Sequence, residues 1–209
     1  MRALFALEGT NLAFPGDPPW EESAAGGLRN PANWMGTADS LKRAADLLYA
    51  VWFDDLQTML SRSLDVDAPP PPSSVASVAM LLGAFALENV LKGLLVCRDP
   101  SLVQAVPTDP DRLISGVLQS HNLRELSERA RVQLSAQEES LLARLTEFLL
   151  WAGRYPGPLR ASHSAPRPLA EHGGASFRSE HFDQLSTIFK RLFDQLWAET
   201  IAVQREREG

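Results

Sequence analysis

The stretch VASVAMLLGAFALENVLKGLLVC, Val75–Cys97, is long enough for six helical turns and is apolar on every side until Glu88, Asn89 and Lys92 interrupt it near its end. A helix that is hydrophobic all round must be wrapped by other helices or by lipid, and a charged pair inside it needs a stated reason. Lipid is excluded first. The uncharged run Ser73–Leu87 holds fifteen residues, short of the roughly 20 that a bilayer requires, and the four prolines Pro69–Pro72 lie directly before it. Extending the span to Cys97 would place Glu88 and Lys92 in hydrocarbon, at roughly 2.5–3.5 kcal/mol for a central lysine. The stretch therefore reads as the buried central helix of a bundle, with no membrane as partner. At the N-terminus, Arg2 and the short apolar run Ala3–Leu7 are ended by Glu8 before a signal-peptide core is reached. The expected compartment is cytoplasmic.

Working outward, 209 residues of which 44% are hydrophobic can bury one substantial core, so one domain is expected. A formal net charge of −6 gives no overall pull toward phosphate, and any nucleic-acid contact must come from a local basic patch. The single cysteine, Cys97, excludes an internal disulfide and a multi-cysteine metal site, and its apolar setting suggests an inert thiol.

Residues 1–31 mix Pro15, Pro18, Pro19, Gly26, Gly27 and Pro31 with isolated Phe14 and Trp20, without sustained periodicity, and read as an N-terminal arm. The bundle domain is expected over 32–209. From about Ala32 to Leu64, Leu41, Ala44, Ala45, Leu48, Trp52, Leu56, Met59 and Leu60 recur at the spacing of one helix face. Pro69–Pro72 form a stiff connector, and Ser73 or Ser74 offers the N-cap of the central helix. Asp99 and Pro100 end that helix, and a short helical piece is expected around Arg112–Leu118. Asn122 with Glu125, and Ser135 with Glu138, carry capping-box spacing at two further helix starts, and Gly153 reads as a C-terminal stop. A last helix is expected over Ser179–Arg205, with Phe182, Leu185, Phe189, Leu192, Phe193, Leu196 and Thr200 along one face. No stretch alternates with the period of a strand, and the fold class is all-α, an up-and-down helical bundle.

Three groups of residues can carry chemistry. Glu88 and Lys92 stand four apart on one helix face in the charge order that favours pairing; they form an ion pair at the bundle edge or anchor an anion or partner. His121, directly before Asn122, can pack on the following helix's first turn or cap its amides, while Arg154 and Tyr155 follow Gly153, where an arginine satisfies terminal carbonyls. The third group is the loop after Gly153. It gathers Arg154, Arg160, His163, Arg167, His172 and Arg178 within twenty-five residues. Such a cluster can hold a phosphodiester, with a histidine moving protons near neutral pH and an arginine stabilising transition-state charge; a solvated, proline-stiffened loop is the alternative. No phosphate-binding loop, zinc-type His/Glu helix, nucleophile elbow or dinucleotide fingerprint is present, so neither a metal nor a cofactor is expected.

Ala86-Leu87-Glu88-Asn89-Val90-Leu91-Lys92-Gly93, then His121-Asn122-Leu123-Arg124-Glu125-Leu126, then Trp151-Ala152-Gly153-Arg154-Tyr155-Pro156 resemble, in order and spacing, the HEPN-like helical domains of bacteria. The resemblance spans roughly Ala32 to Ile201. It implies a bundle that commonly forms a two-fold homodimer, with many members binding or acting on RNA in toxin-antitoxin or defence systems. Catalytic members carry an arginine and, four to six residues on, a histidine that meet across the dimer as a metal-independent RNase site. Arg167 and His172, with four residues between them, stand about where that motif belongs. Pro166 and Pro168 flank Arg167, a departure from the helical setting of the motif. The expectation is a noncatalytic nucleotide- or RNA-binding or scaffolding domain, with Arg154, Tyr155, His163, Glu88, Lys92 and His121 as binding residues. Two alternatives stand beside it. One is an RNase in which Arg167 holds the phosphate and His172 acts on the ribose 2′-hydroxyl; the other is a structural module gripping a partner protein.

Overall fold

The computed structural model describes residues 20–62, 75–103, 114, 116–152 and 179–208. Six helices carry the architecture: α1 (Trp20–Arg29), α2 (Pro31–Arg62), α3 (Ala76–Arg98), α4 (Leu123–Arg129), α5 (Ala136–Glu147) and α6 (Ser179–Glu208). Single 3-10 turns at Pro100–Leu102 and Gly116–Gln119 and a π-turn at Phe148–Ala152 complete them. Among the described residues there is no strand, only an isolated antiparallel bridge between Val103 and Ile114. The all-α bundle expected from the sequence is the observed fold.

α3 is its axis. Seventeen of its 23 residues are buried, and α2, α4, α5, the π-turn and α6 all pack on it. By length and composition Ala76–Arg98 could cross a membrane, but 78% of its most apolar window is covered by the protein itself. Met80, Leu87, Leu91 and Leu94 meet Leu123 and Leu126 of α4, Leu142 and Leu145 of α5, and Leu185 and Ile188 of α6 in one core of fully buried side chains. Each is worth about 1.5–3 kcal/mol on leaving water. Two glycines set the helix spacing. A methyl group on Gly83 would stand 2.7 Å from Leu185 Cδ1, and one on Gly93 would stand 2.7 Å from Leu196 Cδ2 and 3.1 Å from Trp34 Cβ. The Leu185 and Leu196 side chains of α6 fill the space that a side chain at either glycine would take.

Local rules account for the helix boundaries. Asn30 Oδ1 accepts from the Ala32 amide at 3.1 Å, and Pro31, whose missing donor costs nothing in a first turn, opens α2. Asn122 Oδ1 accepts from the amides of Arg124 and Glu125 and so caps α4. Glu125 does not return the bond; its carboxylate takes the Ser120 hydroxyl at 2.8 Å. Ser135 and Glu138 do form the reciprocal capping box of α5, and Glu138 also accepts from Arg191 of α6 at 2.6 Å. Burial pushes the Glu138 carboxyl up, but the Ser135 amide and the Arg191 guanidinium outweigh it and hold the group below its ordinary range.

The structure departs from the sequence reading in four places. Trp20–Arg29, inside the aperiodic arm, is a helix, pinned by Trp34 Nε1 donating to Leu28 O at 2.7 Å and Arg29 Nε donating to Val103 O at 2.9 Å. Gly26 and Gly27 dilute its pattern, and tertiary bonds replace the missing propensity. Val75 occupies the cap position of α3 without a side-chain bond, while Ser73 and Ser74 lie outside the described residues. Of the short helical piece expected around Arg112–Leu118, Ile114 lies in the bridge to Val103 and a 3-10 turn runs over Gly116–Gln119, opened by Gly116 at φ +56°, while Arg112, Leu113 and Ser115 lie outside the described residues. The far end of α2 also runs past the core, leaving Met59 and Leu60 exposed although both continue its apolar spacing. Gly153 lies outside the described residues.

Candidate functional site

Glu88 and Lys92, one turn apart on α3, are side by side as their spacing requires, with Lys92 Nζ donating to Glu88 Oε1 at 2.6 Å. Their side chains are 6% and 7% exposed, so both charges lie inside the bundle. The ion pair is thus buried, where the sequence placed it at an edge. Removing two charges from water is costly, and the cost is offset only where geometry and additional hydrogen bonds satisfy the groups.

The additional bond comes from thirty-three residues away. His121 Nδ1 lies 2.9 Å from Glu88 Oε2, so each carboxylate oxygen has a partner. This corrects the expectation that His121 caps or packs on the first turn of α4: Asn122 does the capping, and His121 turns the other way, to α3. The loop before α4 can hold the ring there because Leu118, Leu123 and Leu126 are buried on either side and anchor both flanks. A carboxylate accepts hydrogen bonds and donates none, so Nδ1 carries the proton, and in the neutral ring Nε2 is left as an acceptor. Nε2 has no hydrogen-bond partner among the described residues, and the His121 side chain is 51% exposed. The arrangement is therefore a histidine whose tautomer and tilt are fixed from behind by a buried carboxylate, itself neutralised by a buried ammonium. Such a ring can accept from a ligand hydroxyl through Nε2 or, protonated, donate to a phosphate oxygen.

A second fixture holds the C-terminal end of α3, one to three turns further on. Arg98 donates to both oxygens of Glu199 on α6, at 2.7 and 2.5 Å, and to the carbonyl of Ala130 just beyond α4. The guanidinium holds the Glu199 carboxyl below its ordinary value, against the opposing effect of burial.

Of the residues singled out by sequence, the structure brings Glu88, Lys92 and His121 together. Arg154, Tyr155, His163, Arg167 and His172 lie outside the described residues. Among the described residues no group of three or more histidine, cysteine, aspartate or glutamate side chains could hold a metal ion, and Cys97 is buried.

One charged residue went unnoticed in the sequence. Lys42 of α2 is buried, pairs with Asp46 at 2.5 Å, and points its ammonium at the rings of Phe182 and Phe189, 5.1 and 5.8 Å from their centroids. Tyr49 stacks on Phe182 at 4.0 Å, and its hydroxyl is pushed above its ordinary range by burial and then by Asp183. The available signal was positional: Lys42 falls on the same face as Ala38 and Ala45.

Comparison with protein-family models, with curated proteins and with solved structures finds no match to this chain.

Proposed function

We propose that this chain is a HEPN-like, noncatalytic binding module for RNA or a nucleotide, with His121 as the side chain that meets the ligand. One observation carries the reading: Glu88 and Lys92 of the first resembling block and His121 of the second, read separately in the sequence, are one hydrogen-bonded unit whose half-exposed ring has no bond at Nε2 among the described residues. The unit sets a single exposed hydrogen-bonding group against a buried support, which is how a surface fixes one polar contact of a ligand in orientation. Two-fold association and a role in a toxin-antitoxin or defence system belong to the same proposal.

The test is fluorescence anisotropy with a labelled single-stranded RNA oligonucleotide at low salt. Wild-type protein binds, and His121→Ala, shown to be folded by circular dichroism because the change also removes a partner of the buried Glu88, weakens binding about tenfold or more, the worth of one hydrogen bond to a charged group. Equal binding by wild type and His121→Ala, or no binding by either, overturns the reading. The same mixtures are run on a denaturing gel without added metal. Intact RNA agrees with a binding module, whereas cleavage that is lost in Arg167→Ala and His172→Ala replaces it with the RNase alternative.

A further inference from the structure

We propose that His121 is a phosphoacceptor, its Nε2 taking a phosphoryl group from a phosphoramidate, a donor that carries its phosphorus on nitrogen. The inference shares this side chain with the RNA-binding reading but rests on the geometry of the ring alone.

An imidazole acts as a nucleophile when one nitrogen keeps its lone pair accessible and the positive charge that develops on the ring is stabilised. His121 meets both conditions. Nδ1 lies 2.9 Å from Glu88 Oε2, which places the proton on Nδ1 and the lone pair on Nε2, on the far side of the ring. The side chain is 51% exposed, and Nε2 has no hydrogen-bond partner among the described residues. A carboxylate behind an imidazole makes the far nitrogen more basic and stabilises the imidazolium, as it does in a catalytic triad. Here the carboxylate is 6% exposed and its other oxygen is held by Lys92 at 2.6 Å, so its position is fixed by two bonds. Turning the ring to offer Nδ1 instead would leave a buried oxygen without its donor, which is costly.

The nearby charges leave room for an anion. Lys92 balances Glu88 inside the bundle, and after His121 the cation Arg124 is followed by one acid, Glu125, whose carboxylate takes the Ser120 hydroxyl at 2.8 Å. The chain carries no phosphate-binding loop that would hold a nucleoside triphosphate as donor. In the step itself, the Nε2 lone pair forms a bond to phosphorus in line with the donor's nitrogen, and the donor's P–N bond breaks. The leaving nitrogen departs with that electron pair as an amine and takes up, through water, the proton that the phosphorylated ring releases from Nδ1. One P–N bond replaces another, so the transfer is close to energetic balance and needs no further reactant. Glu88 is a positioning residue: it fixes the ring and steadies its charge without touching the phosphoryl group.

The test incubates the full chain with potassium phosphoramidate near neutral pH. Digestion and mass spectrometry under alkaline conditions, where N-phosphoimidazole survives, locate the label, and phosphorus NMR separates the Nε2 isomer from the Nδ1 isomer. His121 should be labelled about tenfold faster, or more, than His163, His172 or His181, the worth of a hydrogen bond to a charged group realised in the transition state, and on Nε2 alone. Glu88→Gln keeps an acceptor for the Nδ1 proton and deletes the charge; shown to be folded by circular dichroism, it should retain the Nε2 isomer and lose about tenfold in rate. If that variant does not fold, the position and isomer of the wild-type label decide the matter. Label spread evenly over the four histidines, an Nδ1 product at His121, no label, or a folded Glu88→Gln protein labelled at the wild-type rate each overturns the proposal. No RNA is present, so its failure is distinct from a failure of the binding reading.

Discussion

Replacing Lys92 by methionine keeps the length of the side chain and deletes its charge. In the folded protein this leaves the Glu88 carboxylate, 6% exposed, with His121 as its one remaining partner. Removing one member of a buried ion pair is more damaging than removing both, because the survivor stays buried without compensation, and the cost is about 3–5 kcal/mol. For a chain of this length each kcal/mol lowers the melting temperature by roughly 2–4 °C, which gives a loss of about 6–20 °C. The companion variant Glu88→Leu/Lys92→Met removes both charges and fills the space with apolar atoms, so most of the stability should return, with a coupling of about 2–3 kcal/mol between the positions. Urea denaturation followed by circular dichroism measures all four corners of the cycle. A Lys92→Met protein within about 0.5 kcal/mol of wild type would mean that the pair is solvated, and the reasoning built on its burial would fall. A double variant as unstable as the sum of its singles would refute the pairing itself.

Two further outcomes are expected. Gly93→Ala puts a methyl group 2.7 Å from Leu196 Cδ2 and 3.1 Å from the Cβ of Trp34, forcing the Leu196 side chain to move and crowding Trp34 at a cost of about 1–3 kcal/mol; thermal melting checks it, and unchanged stability would show that the leucine repacks freely. Glu199 is held by Arg98 below its ordinary value of 4.5, so its contribution is present above about pH 4.5 and lost as the pH falls through the lower folded value. Stability measured from pH 6 down to pH 3 should therefore fall less steeply in Glu199→Gln than in wild type, and identical acid slopes would remove the Arg98 contact from the account.

Where residue order encodes structure locally, the sequence was sufficient. The all-round hydrophobicity of Val75–Cys97 demanded a wrapped helix, and α3 is wrapped. The serine and glutamate at 135 and 138 demanded a capping box, and Asn122 a cap, because a cap bonds only to amides two or three residues on. The stripe Phe182 to Thr200 demanded one buried face of α6, which is where Phe182, Leu185, Leu192 and Leu196 lie. The pairing of Glu88 with Lys92 was equally local, a consequence of 3.6 residues per turn.

Contacts between distant segments had no such trace. Nothing near His121 announced that its ring would reach Glu88, thirty-three residues earlier. Nor did Trp20–Arg29, with two glycines and no clear period, announce a helix, since its fixtures are Trp34 and the Val103 carbonyl. Lys42 drew no notice in the sequence, because Phe182 and Phe189, whose rings face its ammonium, lie on a helix about 140 residues away. Periodicity and capping are short-range, so they marked α2 to α6 as helices and most of the faces that turn inward, but not α1 or the outward Met59 and Leu60. Which side chain answers a buried charge depends on how those helices cross, and that is settled only when the whole core closes and every polar group left without water must find a partner.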